Sequence, residues 1–225
     1  MTVDFATYCC EKDIDKLGDN FIDHMSSHNY YFDKIYIIYQ RVKPKSCILE
    51  TERFKLIEIK EQDYDGILKS YNINPDNKEA DDYTHGWNHS HYWRHHCVNH
   101  LVALRESTAD YIVLCDADCH MVRKDNWIKE GIKLLQQNSN YLVISPSDGS
   151  KMSKTQNMSQ QLFLCERKRM ASIDFDLPFT GFRDGGPMQE YYFMLEGRIG
   201  RYMEKNGLYR YILSSKYRYW HKQWH

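Results

Sequence analysis

Short apolar segments alternate along this chain with segments long enough to be helices, and no other feature narrows the fold as far. Val3–Tyr8 predicts a first buried strand, and Asp13–His28 an amphipathic helix with Ile14, Leu17, Phe21, Ile22 and Met25 on one face. The runs KIYIIY (Lys34–Tyr39) and FKLIEI (Phe54–Ile59) predict second and third strands. The polar stretch Lys60–Thr84, with Asn-Ile-Asn-Pro-Asp-Asn at 72–77 and the pair Asp81-Asp82, predicts a surface insertion. A long helix over about Gly86–Glu106 leads straight into a fourth strand, Tyr111–Cys115. Beyond it the pattern predicts a helix at Trp127–Gln137, strands at Tyr141–Ser145 and Leu162–Cys165, and a late helix opening over Gln189–Gly197. A basic, aromatic tail follows at Tyr209–His225. Such alternation predicts an α/β fold, a Rossmann-like, mostly parallel central sheet flanked by helices, with ligands bound beyond the carboxyl ends of the strands.

Composition removes several function classes. A length of 225 residues favours one domain. With 30 Lys+Arg against 31 Asp+Glu the net charge is −1, which argues against a nucleic-acid binder. Eighteen Tyr and 5 Trp supply rings with a polar handle, suited to stacking on sugars or bases. The cysteines, at 9, 10, 47, 97, 115, 119 and 165, are odd in number and form no C-x-x-C pair, so reduced thiols in a cytoplasmic compartment are expected. Residues 1–20 lack a basic stretch followed by an apolar one, so no signal peptide is expected, and no apolar run reaches the length of a membrane span. After the first strand stands TYCCEKD in place of G-x-G-x-x-G, which disfavours a dinucleotide enzyme and a P-loop NTPase.

The most informative segment is Asp110-Tyr-Ile-Val-Leu-Cys-Asp116-Ala-Asp118-Cys-His120. An apolar strand ends there in two carboxylates spaced by one small residue, and strand geometry points side chains i and i+2 to the same side. Two anions so close repel one another unless a cation joins them. Mn2+ or Mg2+ fits, because both prefer hard oxygen ligands and often share them with substrate phosphates. Ala117 leaves room for a ligand to approach.

YIVLCDAD resembles the D-x-D segment of glycosyltransferases with the GT-A fold, and the resemblance extends over roughly residues 1–225 as a single catalytic domain. It implies a nucleotide-sugar-binding half at about 1–120, and an acceptor-binding half with a C-terminal lid at 121–225. The long helix before the D-x-D strand fits, as does the later Thr180-Gly-Phe-Arg-Asp-Gly-Gly-Pro-Met-Gln-Glu190. Enzymes resembling family 2 carry a Gly-rich acceptor loop before an acidic motif at the start of a helix. Here that motif reads Gln189-Glu190-Tyr191, with one acid.

The implied activity is metal-dependent transfer of a sugar from a nucleoside-diphosphate sugar, a UDP-sugar in first place, to a hydroxyl of a carbohydrate or glycoconjugate acceptor, inverting rather than retaining. Asp118 and Asp116 are the implied metal ligands, with His221 from the tail as a third. Thr7 and Tyr8, at the end of the first strand, and Arg94 and Asn99, on the long helix, would serve the donor. Lys216, Arg218 and Lys222 would meet its phosphates, and Tyr217, Tyr219, Trp220 and Trp224 would close over it. Glu190 is the candidate general base and Asp184 the reserve acid, while Gly185 and Gly186 let backbone approach a sugar closely.

Six histidines, at 85, 89, 91, 95, 96 and 100, fall on the long helix as three i, i+4 pairs on different faces. They form no single zinc site, and packing beneath the donor pocket is expected of them. Two other readings compete. A sugar-nucleotide nucleotidyltransferase would need a Gly-rich basic loop where TYCCEKDID stands, and a catalytically inert sugar-binding domain would retain the fold without turnover.

Overall fold

The computed structural model describes residues 1–9, 23–40, 51–78, 80, 92–147, 149, 153–177 and 193–221. Ten strands and five α-helices are seen among them. The strands are β1 (Val3–Cys9), β2 (Ile35–Tyr39), β3 (Phe54–Glu58), β4 (Tyr111–Asp116), β5 (Cys119–Met121), β6 (Tyr141–Ser145), β7 (Lys154–Thr155), β8 (Leu162–Glu166), β9 (Tyr209–Ile212) and β10 (Tyr219–His221). The helices are α1 (Tyr64–Ser70), α2 (Tyr92–Glu106), α3 (Trp127–Gln137), α4 (Arg167–Ala171) and α5 (Leu195–Asn206). Residues 23–27 are also helical.

Eight strands form one sheet in the order β3-β2-β1-β4-β8-β6-β9-β7, and β5 and β10 form a separate antiparallel ribbon. The expected parallel sheet is present in β3-β2-β1-β4 and in the β6–β9 pair. The sheet as a whole is mixed, because β8 runs against β4 and β6, and β7 against β9.

Period-2 alternation divides the core between the two faces. Ala6, Ile38, Ile112, Leu114, Phe163 and Cys165 pack on one side with Trp93, Leu101 and Ile199 from α2 and α5. Phe5, Ile37, Val113, Cys115, Leu162 and Leu164 pack on the other with Trp127, Ile128 and Ile132 from α3. Helix α3 lies close to the sheet at Gly131, where an added Cβ would stand 2.7 Å from Leu164 Cδ2. Helix α5 stops at Gly207, whose φ of 62° is the left-handed conformation glycine accepts without strain.

Three expectations are corrected. The stretch after β3 is no surface insertion: Tyr64, Ile67 and Leu68 bury one face of α1, and Ile73 and Ala80 join the same core. The late helix begins at Leu195, not near Gln189, which lies outside the described residues. The tail is built into the fold, since β9 pairs with β6 in the main sheet and β10 pairs with β5.

Candidate active site at the carboxyl edge of β4

Strand β4 is buried until its last residue, Asp116, where the chain leaves the sheet, turns through Ala117 and Asp118, and continues as β5 of the separate ribbon. Asp116 and Asp118 are half-buried, and their carboxylate oxygens and the Cys119 Sγ lie within 4.8 Å of one another. Cys119 is shut in the core, so an ion arriving from solvent meets two carboxylates. That is a hard-oxygen donor set, matched to Mn2+ or Mg2+. Ala117 is buried and packs with the α3-side core. The Asp116 backbone N–H donates to Gln161 O at 2.7 Å, fastening the strand end to the residue just before β8.

The parallel register sets Tyr8 of β1 directly beside Asp116, and Thr7 beside Cys115. A narrow crevice of about 10 Å³, lined by Thr7, Tyr8, Ile38, Asn99, His100 and Cys115, lies there. A directed chain of hydrogen bonds lies beneath it. Tyr64 O–H donates to Gln40 Oε1 at 2.5 Å, so the His95 Nδ1, 3.2 Å from the Tyr64 oxygen, is the donor of that pair. The His95 Nε2 then accepts from Tyr8 O–H, and Gln40 Nε2 donates to Asn99 Oδ1 at 3.1 Å. One side chain stands apart from this order: Thr7 Oγ1 is buried without a hydrogen-bond partner among the described residues.

The remaining residues expected at the site divide three ways. Arg94 is turned to α1, its guanidinium 3.3 Å from Asp65 Oδ1. The backbone of His221 is carried to the site, because His221 is the register partner of Cys119, one residue past Asp118. Asp184, Gly185, Gly186, Glu190 and Lys222 lie outside the described residues. Of the described helix histidines, His95 joins the tyrosine chain, while His96 and His100 both meet Gln160: Nδ1 of His96 lies 3.0 Å from the Gln160 Nε2 and Nε2 of His100 lies 3.3 Å from the Gln160 carbonyl, with the His100 ring stacked on Phe163.

Glu196 escaped the sequence reading. It stands in the first turn of α5, and its Oε2 accepts the Gln160 backbone N–H at 3.2 Å, one residue from the Gln161 that holds Asp116. Burial raises its carboxyl pKa to about 7, against the smaller opposing effects of the Gln160 hydrogen bond and the Arg210 charge. A single acid in a helix's first turn is an ordinary sequence feature, and only the placement of that turn distinguishes this one. A cavity of about 420 Å³ between β3, α1 and α2 contains none of these groups.

No protein-family model matches the sequence, and no curated protein does. Solved structures match the fold. TarS from S. aureus superposes over 97% of this chain and 36% of its own, with a TM-score of 0.54 at 10% identity. The fold is that of the GT-A glycosyltransferases. A TarS 1-349 structure in complex with UDP gives 0.51 at 10% identity, over 97% of this chain and 60% of that one. Glucosyl-3-phosphoglycerate synthase from Mycobacterium tuberculosis, in complex with Mn2+, UDP and phosphoglyceric acid, gives 0.50 at 10% identity, over 100% and 72%. The chain thus spans about a third of the length of TarS. In this GT-A framework the acid pair lies at the carboxyl edge of β4, in the central sheet.

Proposed function

We propose that this chain is a metal-dependent glycosyltransferase that moves a sugar from a UDP-sugar to a hydroxyl of a carbohydrate or glycoconjugate acceptor. The convergence of Asp116 and Asp118 where β4 leaves the sheet carries the reading. Asp118 is the direct ligand in this proposal, Asp116 a ligand or a ribose contact, and His221 the third ligand. The Mn2+ and UDP bound by the M. tuberculosis synthase support the choice of ion and nucleotide. When bound, the divalent ion supplies positive charge to a diphosphate leaving group that gains negative charge.

The chain's own residues bind, orient and move a proton. Tyr8, held by His95, and Asn99, held by Gln40, give the nucleoside a floor whose polar groups are already ordered. Residues 1–120 form the donor half, and 121–225 the acceptor half and lid, with Gly185, Gly186 and Lys222 on the sugar and phosphates. An inverting course needs a base that takes the acceptor hydroxyl proton as that oxygen attacks the anomeric carbon opposite the diphosphate. Glu190 is proposed for this, with Asp184 in reserve. Glu196 is a competing base, supported by its linkage to the Asp116 strand end and a pKa near neutrality. Arg94 positions α1 against α2 through Asp65 rather than contacting the donor.

The test is UDP binding followed by thermal shift with and without Mn2+. A ligand about 100-fold above its Kd adds roughly 2.7 kcal/mol, readily seen in a melt. Stabilisation by UDP that requires Mn2+ and is lost in Asp118→Asn supports the reading. Unchanged UDP affinity in Asp118→Asn, with and without EDTA, overturns it.

A further inference from the structure

Directly behind the acid pair, on the α3 side of the sheet, a second group of metal-ligating side chains is closed off from solvent. His24 and His28 stand one helical turn apart at the end of the helix that includes 23–27, and both are fully buried. They face Cys115, the residue before Asp116. One ligand atom from each of the three lies within 4.8 Å of the others, and His24 Nε2 is 3.9 Å from Cys115 Sγ. A tetrahedral zinc with Zn–S of about 2.3 Å and Zn–N of about 2.0 Å sets such atoms roughly 3.5 Å apart, so small side-chain shifts suffice. His120 of β5 stands beside them, its ring centroid 5.0 Å from that of His24.

Two polar atoms of this cluster are unaccounted for. His24 Nδ1 and His28 Nε2 are buried and have no hydrogen-bond partner among the described residues. Leaving a polar atom buried and unpaired is costly, and native chains rarely do so without a ligand, water or ion. Burial and the neighbouring imidazoles favour the neutral form of both rings. Neutral imidazole is also the form that ligates a metal.

We propose that His24, His28 and Cys115 bind a zinc ion, with His120 as the fourth ligand, at a structural site separate from the Asp116–Asp118 pair. The donor set is imidazole and thiolate, which selects Zn2+ over the Mn2+ or Mg2+ suited to carboxylates. Ligation requires the Cys115 thiol to release its proton, so uptake frees one proton. In the ion-free chain Trp127 Nε1–H donates to His28 Nδ1 at 3.2 Å, which leaves the ring proton on Nε2. Ligation through Nε2 moves that proton to Nδ1 and gives up this one neutral hydrogen bond, a small loss against the bonds to the ion. Because Cys115 precedes Asp116 and His120 follows Asp118, the ion would clamp both arms of the acid turn from inside the protein.

The test is cobalt substitution in the full chain, read by absorbance. The expected result is about one Co2+ per chain with a thiolate-to-cobalt charge-transfer band, displaced by Zn2+. The band should persist in the double variant Asp116→Asn/Asp118→Asn and vanish in Cys115→Ser. His24→Asn provides a second variant should Cys115→Ser fail to fold, with an expected loss of at least tenfold in Co2+ affinity. Cobalt uptake without a thiolate band in the wild-type chain, or a band that survives Cys115→Ser, would overturn the assignment. So would cobalt binding that disappears with the two aspartates alone.

Discussion

Cys119 and His221 are register partners in the β5–β10 ribbon, so the backbone of β10 runs one residue from Asp118. The ribbon is fastened to the rest of the molecule. The Tyr219 N–H donates to Ser147 O at 3.0 Å, and its hydroxyl donates to Gln161 Oε1 at 2.9 Å. A segment expected to act as a free lid is therefore tied down as far as His221. Removing residues 216–225 is expected to lower the melting temperature as well as transfer, instead of sparing the fold. Equal melting temperatures for the truncated and full chains would show that the ribbon contributes nothing to stability.

Tyr219 allows a finer version of this test. Its ring is 4% exposed, and Tyr219→Ala is expected to cost about 3 kcal/mol in denaturant unfolding, in line with loss of a buried aromatic ring. Tyr219→Phe removes only the hydroxyl and should cost about 1 kcal/mol. Because Gln161 also receives the Asp116 N–H, the Phe variant should weaken Mn2+-dependent UDP binding more than its small effect on stability suggests.

His221→Ala should reduce the preference for Mn2+ over Mg2+, since imidazole suits manganese better. UDP titrations with each ion read this directly. An unchanged ion preference would remove His221 from the metal shell and leave its backbone pairing as its contribution.

If Glu196 is the base, activity and stability move in opposite directions with pH. Its folded pKa, about 7, exceeds that of a free Glu, so between roughly pH 4.5 and 7 the folded chain holds a proton that the unfolded chain has lost. Stability contributed by this group is full at low pH and is lost as pH rises through 7. Glu196→Gln should therefore raise stability at pH 8, on the order of 1 kcal/mol, with little effect at pH 5. If Glu196 is the base, transfer in the wild-type chain rises with pH through about 7, and the Gln variant loses on the order of 10²–10⁴-fold. A stabilised variant with full activity would return the role to Glu190.

His96 and His100 predict acid lability with the reverse sign. Burial lowers their pKa values to about 3 and about 4, so below pH 6.5 the unfolded chain binds protons that the folded one refuses. Their contribution is intact above pH 6.5 and lost as pH falls toward 4, on the order of 1 kcal/mol per pH unit for each. Urea midpoints between pH 4 and 7 measure the slope. His100→Gln should flatten it even where it lowers stability at pH 7.

Six of the eight strands of the main sheet, β1 to β4, β6 and β8, were legible because each is an apolar run too short to be a helix, and D-A-D was legible because it ends such a run. What escaped depended on distant partners. Tyr64, Ile67 and Leu68 carry helical spacing, but the surrounding Asp, Gly and Lys of YDGILKS read as solvent-facing until α2 is seen covering them. Strand β9 reads as a basic tail because Arg210 gives no sign of being buried. In the fold it lies in the sheet, with its Nε donating to Ser145 Oγ at 2.9 Å. Glu196 was hidden by misplacing the start of α5. The His24–Cys115 contact joins residues 91 positions apart, which no local pattern reports.

The reversed strand β8 has a mechanical meaning. Strands β1 to β4 all come from residues 3–116, and β6 to β9 from residues 141–212. In the main sheet, the β4–β8 ladder is the seam along which these two halves meet. The acid pair hangs from one end of that seam, where Asp116 is laced to Gln161. A small opening of the two halves, like a book parting along its spine, would move both carboxylates at once. Under the proposed function, variants along β4 and β8 far from the acid pair are therefore expected to change ion affinity.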